Sequence, residues 1–235
     1  MTPGPEPISK GKTSNLLRAD LHIHSAYSMD CSTSLDEIIE RCNQTGINCV
    51  AIADHGTAEG SLALKKMDAL NVIIAEEILT DYGEIIGLFL QETIPSGLSA
   101  EETVFRIKDQ GGLVCIPHPF DVIRPSALKY ECLVNIVDDI DVIEVFNARN
   151  HFTACNDKAK KFAREFNKLS SAGSDAHTAN EIGKTYIEMP EFKNRDDFIN
   201  SLSQGIIHGH LSSPFVHFNS TASKLKKRFI HNKES

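Results

Sequence analysis

Short apolar runs alternate with amphipathic stretches along most of the chain. Runs such as NCVAIAD (48–54), LVCIPH (113–118) and DVIEVFN (141–147) predict buried β-strands. Two stretches with helical spacing, 34–46 and 99–111, open with a Ser-x-x-Glu capping box and end at glycine. Strands that alternate with helices predict a parallel sheet covered by helices on both faces.

The same pattern assigns the remaining elements. Strands are predicted at 17–24, 48–54, 71–80, 83–90, 113–118, 141–147, 169–175 and 184–189. Helices are predicted at 34–46, 57–70, 99–111, 125–139, 156–167 and 195–205. Asp81-Tyr82-Gly83 is typical of a hairpin turn between two of these strands. A closed or distorted barrel and an open, doubly wound sheet both fit this order.

Length and composition indicate a soluble protein with one main domain. The 235 residues are 41% hydrophobic and 24% charged, and no apolar run reaches the ~20 residues of a membrane span. We expect a flexible N-terminus at 1–14, a main domain at 15–205, and a C-terminal extension with a basic tail at 206–235. The N-terminus is rich in Pro and Gly and has no signal-peptide pattern. Six scattered cysteines without a C-x-x-C pair predict reduced thiols in the cytoplasm.

Net charge narrows the classes of partner. A formal charge of −8 disfavours nucleic acid as a partner beyond nucleotides or short oligonucleotides. A small phosphorylated substrate stays compatible with this charge, because bound divalent cations reverse the local potential. No membrane partner is expected, and the oligomeric state is not predicted.

Chemistry-bearing residues first appear at the end of the first strand. Because strand side chains alternate, Asp20, His22 and His24 are predicted to share one face, with Leu21 and Ile23 on the other in a core. Two imidazoles at this spacing can hold one metal ion. The carboxylate of Asp20 is placed to hydrogen-bond a ring nitrogen.

Other strands end in the same kind of residue. The residues concerned are Asp54, His55, Glu76, Glu77, His118, Asp175 and His177. In a parallel α/β architecture the carboxyl ends of the strands meet at one rim, where barrel enzymes carry their active sites. Burying so many titratable groups together is costly unless cations compensate. The sequence therefore predicts a metal site at this rim.

Six segments carry a family resemblance. They are DLHIHSAYSMD, ADHGT, AEEILTDYGEIIGLFL, GGLVCIPHPF, DVIEVFNAR and GSDAH, and they lie between about residues 19 and 189. In this order they resemble the motifs of the PHP (polymerase and histidinol phosphatase) superfamily. The resemblance implies a distorted (β/α)7 barrel with a metal cluster at the C-terminal ends of the strands. It also implies hydrolysis of phosphate esters by metal-activated water.

The resemblance further implies two or three divalent ions, zinc, manganese or iron. The first ion would take His22, His24, Glu77 and Asp175, the second would share Glu77 with His118, and the third would take Asp30, His55 and His177. Glu77 is chosen over Glu76 because the family's glutamate precedes a short strand and a turn. Asp175 and His177 are also candidates for proton transfer.

Three positions leave alternatives open. Some relatives have histidine where this chain has Asn147, so the second ion would bind weakly, use Glu144 or water, or be absent. Asp30 replaces a histidine of some relatives, which makes the third pocket suit manganese or iron as well as zinc. Asp54 either orients a ligand imidazole or caps the following helix.

Cationic and aromatic residues near the motifs are weaker candidates. Arg124 and Arg149 follow two of the motif strands and are candidates for binding a substrate phosphate. Tyr27 either lines the pocket or packs beside it. The histidines at 151, 208, 210, 217 and 231 fall outside the motifs and receive no role. No P-loop, G-x-G-x-x-G or G-x-S-x-G pattern indicates a nucleotide cofactor or a serine nucleophile.

Three functions compete at this level. We favour a metal-dependent phosphoesterase of a small phosphorylated metabolite or nucleotide. A nuclease or a protein-tyrosine phosphatase on the same scaffold is the second hypothesis. The third is a metal-binding PHP domain without catalysis, which the complete set of ligands disfavours.

Overall fold

The computed structural model describes residues 16–212, which form nine β-strands and six α-helices. The strands are β1 Leu16–Ile23, β2 Cys49–Ile52, β3 Asn71–Thr80, β4 Gly83–Leu88, β5 Leu113–Ile116, β6 Val142–Asn147, β7 Leu169–Gly173, β8 Thr185–Pro190 and β9 Ile206–Gly209. The helices are α1 Leu35–Thr45, α2 Glu59–Met67, α3 Ala100–Asp109, α4 Tyr130–Asn135, α5 Thr153–Glu165 and α6 Arg195–Ser203. The predicted order of elements is confirmed.

The two predicted capping boxes differ in the structure. At α1, Ser34 Oγ accepts from the backbone N–H of Glu37 and the Glu37 carboxylate accepts from the backbone N–H of Ser34, at 3.3 and 2.7 Å. At α3, Ser99 Oγ accepts from the backbone N–H of Glu102 at 3.1 Å. Glu102 instead binds Arg106 one turn later, at 2.8 Å, so the second box is only half formed.

The sheet has the strand order β7-β6-β5-β4-β3-β2-β1-β8-β9. Strands β1 to β3 are mutually parallel, as are β5 to β7, whereas β4 is antiparallel to both of its neighbours. A bridge between Ile23 and Ala176 joins the ends of β1 and β7, so the sheet is a nearly closed, barrel-shaped layer. The prediction of a distorted barrel is confirmed. The predicted count of seven strands is too low. Two more strands extend the sheet past β1, since β8 pairs antiparallel with β1 and β9 pairs antiparallel with β8.

Closure of the sheet determines where the core lies. One apolar cluster fills the barrel interior from most of the strands and is completed by Phe198 and Leu202 of α6. On the outer face, α1 and α2 pack against β1 and β2, while α3, α4 and α5 cover the opposite half. Helices α1 to α5 therefore cover the outer face of the barrel, whereas the side chains of the inner face pack against one another and against α6.

The expected domain limits fall near the ends of the described residues. Ile206–Gly209, the first part of the expected C-terminal extension, forms β9 and pairs with β8. The expected flexible N-terminus at 1–14 and the tail from 213 onward lie outside the described residues. Between residues 16 and 212, every helix is too short or too polar to cross a bilayer.

Candidate metal centre

A β-bulge in β1 places the first two histidines. The register with β2 shifts between Asp20 and Ile23, so simple alternation stops there. Leu21 packs in the barrel interior, whereas Ile23 packs outside against α1 and α2, so the prediction that both face the same core was wrong. His22 lies within the bulge and His24 just after it, and their rings lie side by side with centroids 5.1 Å apart.

Four ligand atoms, from the end of β1, from β3 and from the segment after β7, form a small cage. His22 Nε2 and His24 Nε2 are 3.2 Å apart, and Glu77 Oε2 lies 3.5 Å from each. Asp175 Oδ1 lies 3.8 and 3.3 Å from the same two nitrogens. Bonds of about 2.0–2.1 Å to a tetrahedral zinc ion separate its ligand atoms by about 3.3 Å. The spacing of the cage therefore suits one metal ion.

Three of the four donors in this cage, His24, Glu77 and Asp175, have the chemical state that a cation requires. Glu77 Oε2 and Asp175 Oδ1 are buried and, among residues 16–212, accept no hydrogen bond of normal geometry, an unfavourable state for carboxylate oxygens. Burial, assisted by His177 and His55, lowers the pKa of His24 to about 3. The His24 ring is therefore neutral and can act as a ligand. These residues fit a divalent metal ion.

A second group of donors lies beside the cage. Asp30 Oδ2 is 3.4 Å from both His55 Nε2 and His177 Nε2. Ser28 Oγ donates to the other oxygen of Asp30 at 3.0 Å and accepts from the His55 backbone N–H at 3.3 Å. Although burial opposes it, contact with His177 and His55 holds the pKa of Asp30 far below its usual range. The structure thus brings together the three residues expected at a third ion.

The third group contains a residue that sequence reasoning missed. Glu77 Oε1 lies 2.9 Å from His118 Nε2, as expected for a shared second ion. Glu84, the second residue of β4, places its two carboxylate oxygens 3.5 Å from His118 Nε2 and 3.5 Å from His55 Nδ1. Burial and the charge of Glu77 raise the pKa of Glu84, and a nearby cation would relieve both effects. A signal was present, since Glu84 interrupts an apolar hairpin strand two residues before Ile86, the partner of Glu77.

Glu144 and Asn147, expected either as weak ligands or as groups that support the ligands, bind protein groups. Glu144 Oε1 lies 3.0 Å from His22 Nδ1, so it orients that ring from the side opposite the cage. The Asn147 amide donates to Glu144 at 2.9 Å and to Asp175 Oδ2 at 3.2 Å. Its oxygen accepts from the backbone N–H of Arg149 at 2.8 Å. Both ends of the amide are thus engaged by the protein.

The other carboxylates of the motifs lie outside the cage. Asp20 Oδ1 accepts from the backbone N–H groups of Ser174 and His22, at 2.9 and 3.4 Å, so it stabilises the rim backbone. Asp54 binds the backbone N–H and hydroxyl of Ser25, both at 2.6 Å, and α2 has no side-chain N-cap. Glu76 accepts from a backbone N–H on a neighbouring loop at 2.8 Å. The choice of Glu77 over Glu76 agrees with this geometry.

Backbone strain is concentrated at the same rim. His118 and Asp175 have φ angles of 31° and 53°, a region that costs non-glycine residues about 1–3 kcal/mol and is found at functional sites. Strand β7 ends at Gly173, where an added Cβ would lie 2.2 Å from His22 Cβ and 2.8 Å from Glu144 Oε1. Glycine at position 173 therefore allows β7 to approach β1, the strand that positions His22 and His24.

A cavity of about 750 Å³ is lined by four of the donors, Asp30, His55, Glu84 and His177. Its wall includes both predicted phosphate-binding residues, Arg124 and Arg149. Arg124 Nη1 lies 2.8 Å from Asp175 Oδ2 with 15% of the side chain exposed, and Arg149 Nη1 donates to the backbone oxygen of Asp175 at 3.3 Å. Exposed apolar side chains line the mouth, namely Met29, Leu79 and Ile123. Tyr27 is half exposed and does not line this cavity.

One histidine without an assigned role also lines this cavity. His151, in the loop after β6, has Nδ1 2.9 Å from Asp121 Oδ2 in the loop after β5. Neither residue stands at a strand end or in a ligand spacing, so no local pattern in the sequence marks the pair. His208 lies on β9 and stacks on Tyr186, and the histidines at 217 and 231 are outside the described residues.

Comparisons with known proteins bear on the family and the fold of this chain. A family model described as PHP-associated matches residues 154–206. A two-domain protein from Bacteroides vulgatus, containing a predicted PHP-like metal-dependent phosphoesterase, matches 89% of this chain and 70% of its own. Its TM-score is 0.67 and its sequence identity is 16%. The chain belongs to the PHP superfamily. Phosphoesterases of this superfamily depend on metals. In this chain the ligand atoms of three clusters lie close enough together to hold an ion, namely His22, His24 and Glu77; His24, His55 and His177; and His55, Glu77 and Glu84.

Other members and neighbours extend the comparison. Two uncharacterised proteins of Methanocaldococcus jannaschii are similar in sequence. MJ1587 is 43% identical over 146 residues, which cover 56% of this chain and 82% of its own. MJ0417 is 38% identical over 180 residues, which cover 74% of this chain and 71% of MJ0417. Endonuclease Q, solved with a 27-mer duplex that carries an abasic lesion at the active site, has a TM-score of 0.62 and 19% identity. It is matched over 83% of this PHP chain and 58% of its own, a likeness of fold alone.

Proposed function

We propose that this protein is a metal-dependent hydrolase of phosphate esters that acts on a small phosphorylated metabolite or nucleotide. One observation carries the proposal: a cage of four ligand atoms at metal-binding spacing contacts His55 and His177, which line a cavity together with two arginines. Metal ligands and guanidinium groups together are what a phosphoryl group requires.

The donor atoms divide among up to three ions. One would be held by His22, His24, Glu77 and Asp175, another by Glu77, His118 and Glu84, and a third by Asp30, His55 and His177. Mixed imidazole and carboxylate donors suit zinc, manganese or iron. Such ions supply a water that loses its proton near neutral pH and neutralise charge on the phosphoryl oxygens.

The arginines and the cavity mouth provide substrate binding. Arg124 uses one nitrogen for Asp175, which leaves other guanidinium N–H groups for phosphate oxygens. Arg149 is held against the same segment, so both cations stand beside the donor cage. The volume of about 750 Å³ and the apolar mouth suit a phosphate bonded to a sugar, a nucleoside or an aryl group.

Contacts favour ligand roles over proton transfer for Asp175 and His177. Burial opposes ionisation of Asp175, but Arg124 and His22 hold its pKa well below the usual range. It is therefore a carboxylate at neutral pH and cannot donate a proton. His177 has Nδ1 2.9 Å from the Asp175 backbone oxygen and Nε2 facing Asp30, so both of its nitrogens are engaged.

A nuclease is the second candidate, because Endonuclease Q has a similar fold. The net charge of −8 gives little electrostatic attraction for a duplex. A duplex with an abasic site therefore belongs in the substrate panel, and cleavage faster than nucleotide hydrolysis would favour this candidate.

The proposal is tested with protein loaded separately with zinc, manganese or iron. Release of phosphate is measured from p-nitrophenyl phosphate, nucleotides and sugar phosphates, together with metal content by elemental analysis. His24→Gln and Asp175→Asn should each lower turnover by about 100-fold or more, since each removes a group that stabilises the transition state. His208→Gln, a change on β9 outside the cavity, is the matched control and should leave activity unchanged. Unchanged turnover and metal content in both cage variants would refute the proposal.

A further inference from the structure

The pair formed by His151 and Asp121 connects two loops of the cavity wall. Asp121 is fully buried, and its two oxygens lie 2.9 and 3.2 Å from His151 Nδ1. The His151 side chain is 29% exposed and lines the cavity. A buried carboxylate at Nδ1 fixes the orientation of an imidazole, so that Nε2 is the nitrogen that exchanges protons with a bound ligand.

The position of this pair relative to the metal centre is defined by Arg124. Asp121 Oδ2 lies 3.8 Å from Arg124 Nε, and Arg124 Nη1 lies 2.8 Å from Asp175 Oδ2. His151, Asp121, Arg124 and Asp175 therefore follow one another from the cavity wall to the donor cage. Arg124 and His151 line the same cavity, so a phosphate ester bound by Arg124 would share that cavity with His151.

We propose that His151 is the general acid that protonates the leaving oxygen of the substrate, and that Asp121 is its positioning residue. The inference rests on the proposed phosphoesterase function. It assigns a proton donor to a residue that is not among the donors of the metal centre. Asp175 and His177, the donors considered from sequence, have their side-chain atoms engaged elsewhere.

The step balances as follows. A water oxygen forms a bond to phosphorus, and its proton leaves to solvent. The bond between phosphorus and the ester oxygen breaks, and that oxygen keeps the electron pair. The leaving oxygen takes the proton from His151 Nε2 and departs as an alcohol, and the neutral imidazole then regains a proton from water. The proton on His151 Nδ1 stays on that nitrogen throughout and remains hydrogen-bonded to Asp121.

The test depends on the leaving group. A p-nitrophenolate departs without a proton, whereas an alkoxide needs one, and general acid catalysis contributes about 10²–10⁴-fold. His151→Gln should therefore lower kcat for an alkyl phosphate or a nucleoside monophosphate by about 100-fold, and that for p-nitrophenyl phosphate by less than about threefold. Asp121→Asn should show the same selectivity with a smaller loss, because the ring is kept and only its orientation is relaxed.

Controls separate this role from a structural one. His208→Gln serves as the matched histidine variant, and metal content and thermal stability are measured for every protein. Equal losses on all substrates, or no loss on the alkyl substrate, would overturn the role of His151 while the phosphoesterase function stands. If the wild-type protein, loaded with metal, hydrolyses no phosphate ester, the proposed function fails and the inference fails with it. Selective loss on poor leaving groups, with unchanged metal content, supports it.

Discussion

The substitution Gly173→Ala should disrupt metal binding from outside the ligand set. The new Cβ would lie 2.2 Å from His22 Cβ, whereas non-bonded carbons rest about 3.5–4.0 Å apart. Either β7 or the His22 side chain must therefore move by roughly 1.3 Å or more. Functional constellations tolerate displacements of about 0.5 Å, so His22 would leave the position that the cage requires.

The expected magnitudes are a loss of about 10–100-fold in metal affinity and about 1–3 kcal/mol in the free energy of unfolding. Calorimetric titration with zinc measures the first, and urea denaturation with chelator present measures the second. Gly87→Ala is the matched control, because its Cβ would meet Leu90 and Ile107 side-chain atoms at 2.9–3.1 Å, in the outer core. The control should lose stability and keep its metal affinity. Wild-type zinc affinity in Gly173→Ala would refute the reasoning.

Three further predictions concern the same protein. Removal of metal by a chelator should lower the free energy of unfolding by about 4 kcal/mol relative to protein held at a thousandfold excess of metal over Kd, and an unchanged melting temperature would contradict a resident ion. Glu84→Gln should lower metal content yet stabilise the chelated protein, because it removes a charge buried beside Glu77; lower stability in chelator would count against this account. Ser34→Ala should cost about 1 kcal/mol through loss of the α1 cap, with metal content unchanged as seen by elemental analysis.

Sequence reasoning located most of the rim because strand ends are visible in the hydrophobic pattern. His22, His55, His118 and His177 each follow an apolar run, and the structure brings a ring nitrogen of each to within 3.5 Å of Glu77 or Asp175. What the pattern predicts is the end of a strand, and in a barrel the ends of parallel strands meet.

The remaining features depend on local geometry that the pattern does not encode. The bulge in β1 overturned the shared face of Leu21 and Ile23, since a single extra residue ends the alternation. Glu84 was missed because it stands at the start of a strand, and only the reversed direction of β4 brings that start to the rim. His151 lies in an irregular loop, where position depends on tertiary contacts.

The hairpin of β3 and β4 connects two of the buried carboxylates through a tight turn. Thr80 pairs with Gly83, whose φ angle of 130° and close approach to the Leu128 backbone admit no larger residue. A one-residue insertion or deletion in this turn would shift the register and rotate Glu84 to the helix-covered face, while Glu77 stayed in place. The negative charge of the centre, and with it the preference among ions, is therefore adjustable by the length of one surface turn.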